Sequence, residues 1–223
     1  MEFFKDEFLS QDIDRRIERI GVHTAAHGRR DTNAYGTRMD MVTGEIDFHG
    51  EIGEPRWYDT QPKVVHRWHL DRGWSGAGYN ELYGLQGELY ALRDPNVTPA
   101  GVRGFNRHAL HVCCAGHHDY HDWPDAQFDT LVWRCAYNVI RSGLFVRFLV
   151  NKNYSLILGH NEFWHHRLVP SIIRKSCPGT QVSMSRLRLA TRDQLLAWQA
   201  EYGQSFYKLD CWRNHIATRP QTS

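Results

Sequence analysis

His23, His160 and Cys177 are the residues whose types point most directly to chemistry, and Lys175 stands two positions before the cysteine. Each lies at the end of an apolar run or in a turn. His23 closes Ile17-Glu-Arg-Ile-Gly-Val-His, His160 closes Tyr154-Ser-Leu-Ile-Leu-Gly-His, and Cys177 sits in Lys175-Ser-Cys-Pro-Gly. Two imidazoles and one thiolate make a three-ligand set for a single Zn2+ ion, and a tetrahedral ion so held keeps its fourth position for water, as catalytic zinc does. Bound water then ionises near roughly pH 7 and the ion polarises a carbonyl, so the chemistry expected is metal-assisted hydrolysis of an unactivated amide. A lone histidine at a strand end is more often a satisfied surface residue. It is the conjunction with Lys175-Ser-Cys-Pro that favours a metal.

The elements that must bring these residues together can be read from periodicity and turn signals. A strand is expected over Ile17–Thr24. Pro62 opens a helix that carries Val65, Trp68, His69 and Arg72 until Gly73 ends it. Two short strands follow, Glu81–Leu85 and Glu88–Leu92, joined at Gln86-Gly87, and Leu110–Ala115 reads as a fully apolar strand suited to the centre of a sheet. Phe128–Leu144 is helical, with Leu131, Val132, Cys135, Val139 and Ile140 on one face; Leu156–Gly159 is a short buried strand. Asp193–Tyr202 forms a last amphipathic helix with Thr191 as its cap. Met41–Phe48 reads as a small hairpin about Thr43-Gly44.

Strands and helices thus interleave, and the fold class expected is α/β (α+β): a single domain with a central mixed β-sheet flanked by helices. Residues 1–16 are read as an N-terminal arm, with Phe3, Phe4, Phe8, Leu9 and Ile13 spaced for a short amphipathic helix. The catalytic domain spans 17–203 and includes a long insertion over 26–61, read as a groove wall or lid. Residues 204–223 form a C-terminal tail.

Composition narrows the class further. A chain of 223 residues fits one domain with a substantial core. The formal net charge of +2 is carried by dispersed residues, so no basic stripe argues for nucleic acid. Five cysteines, an odd number, do not read as a disulfide framework, and the N-terminus has neither the basic start nor the apolar stretch of a secretory signal. No apolar stretch approaches the roughly 20 residues that span a bilayer; Ser142–Val150 is short and carries Arg147. Among the fourteen histidines, His66 and His69 lie three apart on the first helix and are expected to pack at its surface. His117, His118 and His121 are read as a surface loop, with groove lining or a second metal as the alternative. Glu162 would accept from a ligand imidazole or form a loop salt bridge.

Four stretches carry a family resemblance: Ile20-Gly-Val-His-Thr-Ala, Val65-His-Arg-Trp-His through Gly73-Trp-Ser-Gly-Ala-Gly-Tyr79, Asn106 through Gly116, and Gly159-His-Asn-Glu with Lys175-Ser-Cys-Pro. In type and order they resemble type 2 N-acetylmuramoyl-L-alanine amidases, a family that shares its fold with the peptidoglycan recognition proteins and includes the endolysins that phages use as lysozymes. The resemblance implies that His23, His160 and Cys177 hold one catalytic Zn2+. It implies that Tyr79 lies beside the ion to handle a proton of the attacking water or to donate to the oxyanion, and that Lys175 stabilises the tetrahedral intermediate. Three departures stand out. Asn80 follows the tyrosine where relatives often have histidine, the interval from His160 to Cys177 is long, and Cys113 falls where some relatives place a glutamate base.

The function so implied is hydrolysis of the bond between N-acetylmuramic acid and L-alanine in peptidoglycan. The protein would act as a monomeric endolysin, made in the host cytoplasm and released through a holin lesion to the periplasmic wall. A non-catalytic peptidoglycan-binding or regulatory relative is the alternative. A metal-dependent nuclease, raised by His-Asn-Glu and His-His-x-x-His, is disfavoured by the missing basic patch.

Overall fold

A computed structural model of the chain describes residues 5–26, 38–39, 46–48, 51–52, 62–119, 121–166 and 176–203. In chain order its strands and α-helices are β1 (Arg19–Thr24), β2 (Arg38–Met39), β3 (Ile46–Phe48), β4 (Glu51–Ile52), α1 (Pro62–Leu70), β5 (Glu81–Tyr83), β6 (Leu89–Ala91), β7 (Ala109–Cys114), α2 (Asp125–Arg141), β8 (Ile157–Gly159) and α3 (Met184–Tyr202). Five strands form the main sheet in the order β6-β5-β7-β1-β8. β5, β7, β1 and β8 run parallel to their neighbours, and β6 adds antiparallel to β5 at one edge. The fold is therefore the expected mixed sheet with helices.

Strand alternation divides the sheet into two chemically different faces. Ile20 and Val22 of β1, Leu110, Val112 and Cys114 of β7, and Tyr83 of β5 face α2 and α3, where Leu131, Cys135, Val139, Leu187, Leu195 and Trp198 complete the larger core. Full burial of each such aliphatic side chain is worth about 1.5–3 kcal/mol, so most of the apolar stabilisation lies on this face. On the other face Leu82, Cys113 and Ala115 pack under Val65 of α1 and Ala77, in a smaller cluster. That face also carries Gly21 and His23 of β1.

The helical face contains one buried ion cluster. Glu81 of β5 accepts from Arg134 Nε and Nη2 at 3.0 and 2.7 Å, from Arg141 Nη2 at 2.7 Å and from the Tyr83 hydroxyl at 2.8 Å. Burial alone would push the carboxyl upward, but the two guanidiniums and these hydrogen bonds hold it down to about 2. The same arginines donate to the carbonyls of Phe8 and Leu9, at 2.9–3.1 Å, and so tie the arm to α2.

Several elements differ from their sequence expectation. In the arm, Asp6–Leu9 makes a single 3-10 turn with Phe8 buried, shorter than the amphipathic helix expected. The last helix begins at Met184, capped by Ser183, whose hydroxyl accepts from Arg186 N at 3.2 Å. Thr191 is a fully buried residue inside that helix, not its cap, because Met184, Leu187, Thr191, Leu195 and Trp198 form one inward stripe at spacings of three and four. β7 is not wholly apolar: it carries His111, completely buried. In the small sheet, β2 pairs with β3 through Arg38↔Asp47 and Met39↔Ile46, and β3 pairs again with β4, so Ile46–Phe48 is its middle strand. The rest of the 26–61 insertion, to which a groove-wall or lid role was assigned, lies outside the described residues, as does the 204–223 tail. No helix among the described residues is long and apolar enough to cross a membrane.

Candidate metal centre

β1 and β8 are adjacent and parallel, with Val22 opposite Gly159, so His23 and His160 emerge side by side at the carboxyl ends of two neighbouring strands. Cys177 arrives from the turn that follows. Its carbonyl accepts from Asn161 N at 2.9 Å, and its sulfur accepts from Thr24 N at 3.5 Å. One donor atom from each of His23, His160 and Cys177 lies within 4.8 Å of the others. His23 Nδ1 is 3.1 Å from His160 Nδ1 and 3.7 Å from Cys177 Sγ. A tetrahedral zinc with Zn–N near 2.0–2.1 Å and Zn–S near 2.3 Å would place a nitrogen pair about 3.3 Å apart and a nitrogen–sulfur pair about 3.6 Å apart. The donor set fits that ion in type and in spacing.

Tyr79 stands against this group. Its ring lies 4.8 Å, centroid to centroid, from His23. Burial, reinforced by the neighbouring Cys113 and Cys177 sulfurs, pushes its phenol well above the ordinary tyrosine range, so the hydroxyl keeps its proton. The loop carrying it is fixed by His69. This histidine is buried, accepts from Gly78 N through Nδ1 at 3.0 Å and stacks on Trp74 at 4.6 Å. Burial, then the charges of Arg72 and Arg93, push His69 down to about 4, so it is a neutral structural acceptor. That overturns the expectation of His69 as a helix-surface residue, because α1 turns its His69 side into the sheet alongside Val65.

The His117–His121 segment is likewise not a surface loop: His117 and His118 are buried, and His121 is half-buried. It acts as a clamp on the cysteine turn. Asp119 accepts from Ser176 Oγ at 2.7 Å and from Thr180 N at 3.0 Å, while His118 O accepts from Gln181 N at 3.0 Å. Among the described residues these histidines form no convergent metal-ligand group. Glu162 takes the salt-bridge role: it pairs with Arg188 and accepts from Gly159 N at 2.7 Å. Lys175 lies outside the described residues.

Sequence reasoning passed over His111. Its Nδ1 is 2.9 Å from His23 Nε2, and burial pushes it down to about 3. The available signal was parity, since His111 shares the inward face of β7 with Cys113 and stands opposite Gly21 in register with β1.

Residues 14–180 match the N-acetylmuramoyl-L-alanine amidase family, Amidase_2. The chain belongs to that family. Among curated relatives, the endolysin of Klebsiella phage KP32 is 27% identical over 120 residues, which is 54% of this chain and 70% of that protein. The fold resembles that of the N-acetylmuramoyl-L-alanine amidase LysC from Clostridium intestinale, with a TM-score of 0.53 at 16% identity over 78% of this chain and 85% of that one. It also resembles Drosophila peptidoglycan recognition protein SD, with a TM-score of 0.50 at 16% identity over 77% and 80% of the two chains. The amidase match covers β1, β7, β8 and the cysteine turn, the elements that position the donor cluster.

Proposed function

We propose that this amidase-family chain is a zinc-dependent peptidoglycan hydrolase that cleaves the amide between N-acetylmuramic acid and L-alanine. The observation that carries the reading is the convergence of His23 Nδ1, His160 Nδ1 and Cys177 Sγ at ligand spacing, beside a protonated tyrosine. Bound there, zinc would supply a hydroxide nucleophile near neutral pH and polarise the scissile carbonyl. The chain's own residues would do the rest. Thr24 N–H donates to the cysteine sulfur and favours its thiolate. Tyr79 would donate to the carbonyl oxygen as it gains charge, and Lys175 is proposed as its cationic partner. His69 would keep Tyr79 on station through Gly78.

Because relatives of this chain are phage endolysins, the setting proposed is host lysis: synthesis in the host cytoplasm, holin-type release, and action as a monomer on the periplasmic wall. The alternative is a relative that binds muropeptide without cutting it. Zinc content and clearing of outer-membrane-permeabilised cells, measured for wild type and Cys177→Ala, test the reading, with released L-alanine amino termini as the chemical readout. Wild type with about one zinc per chain and new L-alanine termini, and a mutant with neither, is expected. Zinc without cleavage in the wild type would leave the binding relative, and no zinc would refute the ligand set.

A further inference from the structure

We propose that His111 is a positioning residue for the metal centre: its Nδ1 accepts the Nε2–H of His23 and so fixes the tautomer and ring orientation with which His23 offers Nδ1 to the ion. This rests on the zinc reading above. The geometry starts from His23, whose ring has both nitrogens engaged. Nδ1 faces His160 and Cys177, while Nε2 lies 2.9 Å from His111 Nδ1. A ligating nitrogen must be unprotonated, so Nε2 carries the proton of the neutral ring and His111 Nδ1 receives it. Metal-bound histidines usually direct that second N–H to a carboxylate, a carbonyl or water. Here another imidazole takes that place.

Three observations indicate that the position is built for this contact. The first is the space around the ring. A Cβ on Gly21 would come 2.4 Å from His111 Nδ1, and one on Gly101 would come 2.5 Å from its Cγ. The ring therefore lies between two glycines, one opposite it on β1 and one in the loop before β7. The second is the far nitrogen. His111 Nε2 is buried with no partner among the described residues. If Nδ1 accepts, Nε2 carries the proton, and a buried N–H without an acceptor lowers stability. Leucine at this place in a buried strand would escape that cost, so the histidine is offset by what Nδ1 does. The third is rigidity: His111 N donates to Asn80 Oδ1 at 3.0 Å, and Asn80 N donates back to His111 O at 2.7 Å. Asn80 follows Tyr79 directly, so the residue that orients the metal ligand is also bonded to the segment that carries the phenol.

The test is zinc affinity by competition with a chromophoric chelator on wild type, His111→Leu and His111→Asn. Visible spectra of the cobalt-loaded proteins and thermal melts of the metal-free proteins accompany it. Asparagine places its amide oxygen near the position of Nδ1, so it keeps an acceptor that leucine lacks. Loss of roughly 10–100-fold in zinc affinity is expected for His111→Leu, with altered cobalt bands and a metal-free melt no lower than wild type. His111→Asn should stay within a few-fold of wild type. Leucine binding zinc as tightly as wild type, or asparagine losing as much as leucine, would overturn the role of the acceptor. Should the leucine protein not fold, the asparagine protein decides alone: affinity near wild type supports the contact and a 10-fold or greater loss overturns it. Absence of zinc from wild type itself would instead refute the metal reading on which the inference rests.

Discussion

The two faces of the central sheet each bury a polar cluster, and the two clusters are built on opposite principles. On the helical face Glu81 meets Arg134 and Arg141, and its oxygens receive hydrogen bonds from both guanidiniums. Charge is answered by charge. On the other face His23, His160 and Cys177 turn like-natured donor atoms towards one another, with nitrogen facing nitrogen at 3.1 Å and nitrogen facing sulfur at 3.7 Å. Three donor atoms converging at ligand spacing suit a bound cation. The self-neutralised cluster serves the fold; the donor cluster is the one to which the proposed chemistry belongs.

The comparison predicts how each cluster fails. The largest effect is expected for Cys177→Ala, which should abolish both zinc retention and wall lysis while the metal-free protein melts near the wild-type temperature, checked by metal analysis and turbidimetry. A similar loss of melting temperature without metal would assign the cysteine a structural role instead. Next comes Glu81→Gln, which strands two buried cations and should cost about 3–5 kcal/mol in a denaturant titration. Zinc affinity of its folded fraction should be unchanged, and a loss there would show that the two faces are coupled. Tyr79→Phe should lower kcat about 100-fold, with KM and zinc content close to wild type; equal turnover would remove the phenol from the mechanism.

Acid should separate the faces further. His69 is held down to about 4 against an ordinary 6.5, so an unfolded chain takes up its proton first, and the contribution of His69 to stability is present above about 6.5 and lost as pH falls towards 4. Glu81 is held down to about 2 against 4.5, and its contribution persists to about 4.5 before falling away towards 2. Denaturant titrations at stepped pH should therefore find the histidine face weakening first, and His69→Gln should flatten the upper part of the curve only. The smallest effect is expected at Arg67, whose exposed pair with Asp71 on α1 lies in neither cluster; Arg67→Ala should change stability by about 0.3–0.5 kcal/mol.

Much of this arrangement was legible in the residues. Apolar runs ending in His23 and His160 marked two strands that prove to be neighbours. What was not legible depended on partners distant in the chain. A buried imidazole and an exposed one look alike in a sequence, so His69, His117 and His118 were read as surface groups, although Gly78, the cysteine turn and the loop around them enclose all three. His111 was lost inside an apolar strand, because the room for its imidazole is made by Gly21 and Gly101, both distant from it in the chain or on another element. The true start of α3 was hidden by Arg186, Arg188 and Arg192, whose charges mask the inward stripe that runs from Met184.

The way the arm is held has a consequence for how this family member can vary. Arg134 and Arg141 grip residues 8 and 9 by their carbonyls, groups that every amino acid offers. Recognition of this kind is indifferent to side-chain identity, so drift at Leu9 is tolerated wherever the backbone path is kept, whereas Phe8, buried in the 3-10 turn, Gln11, which donates to Asp94, and Arg15, which donates to the Ala109 carbonyl at 2.8 Å, are held through their side chains and are the arm positions at which identity matters.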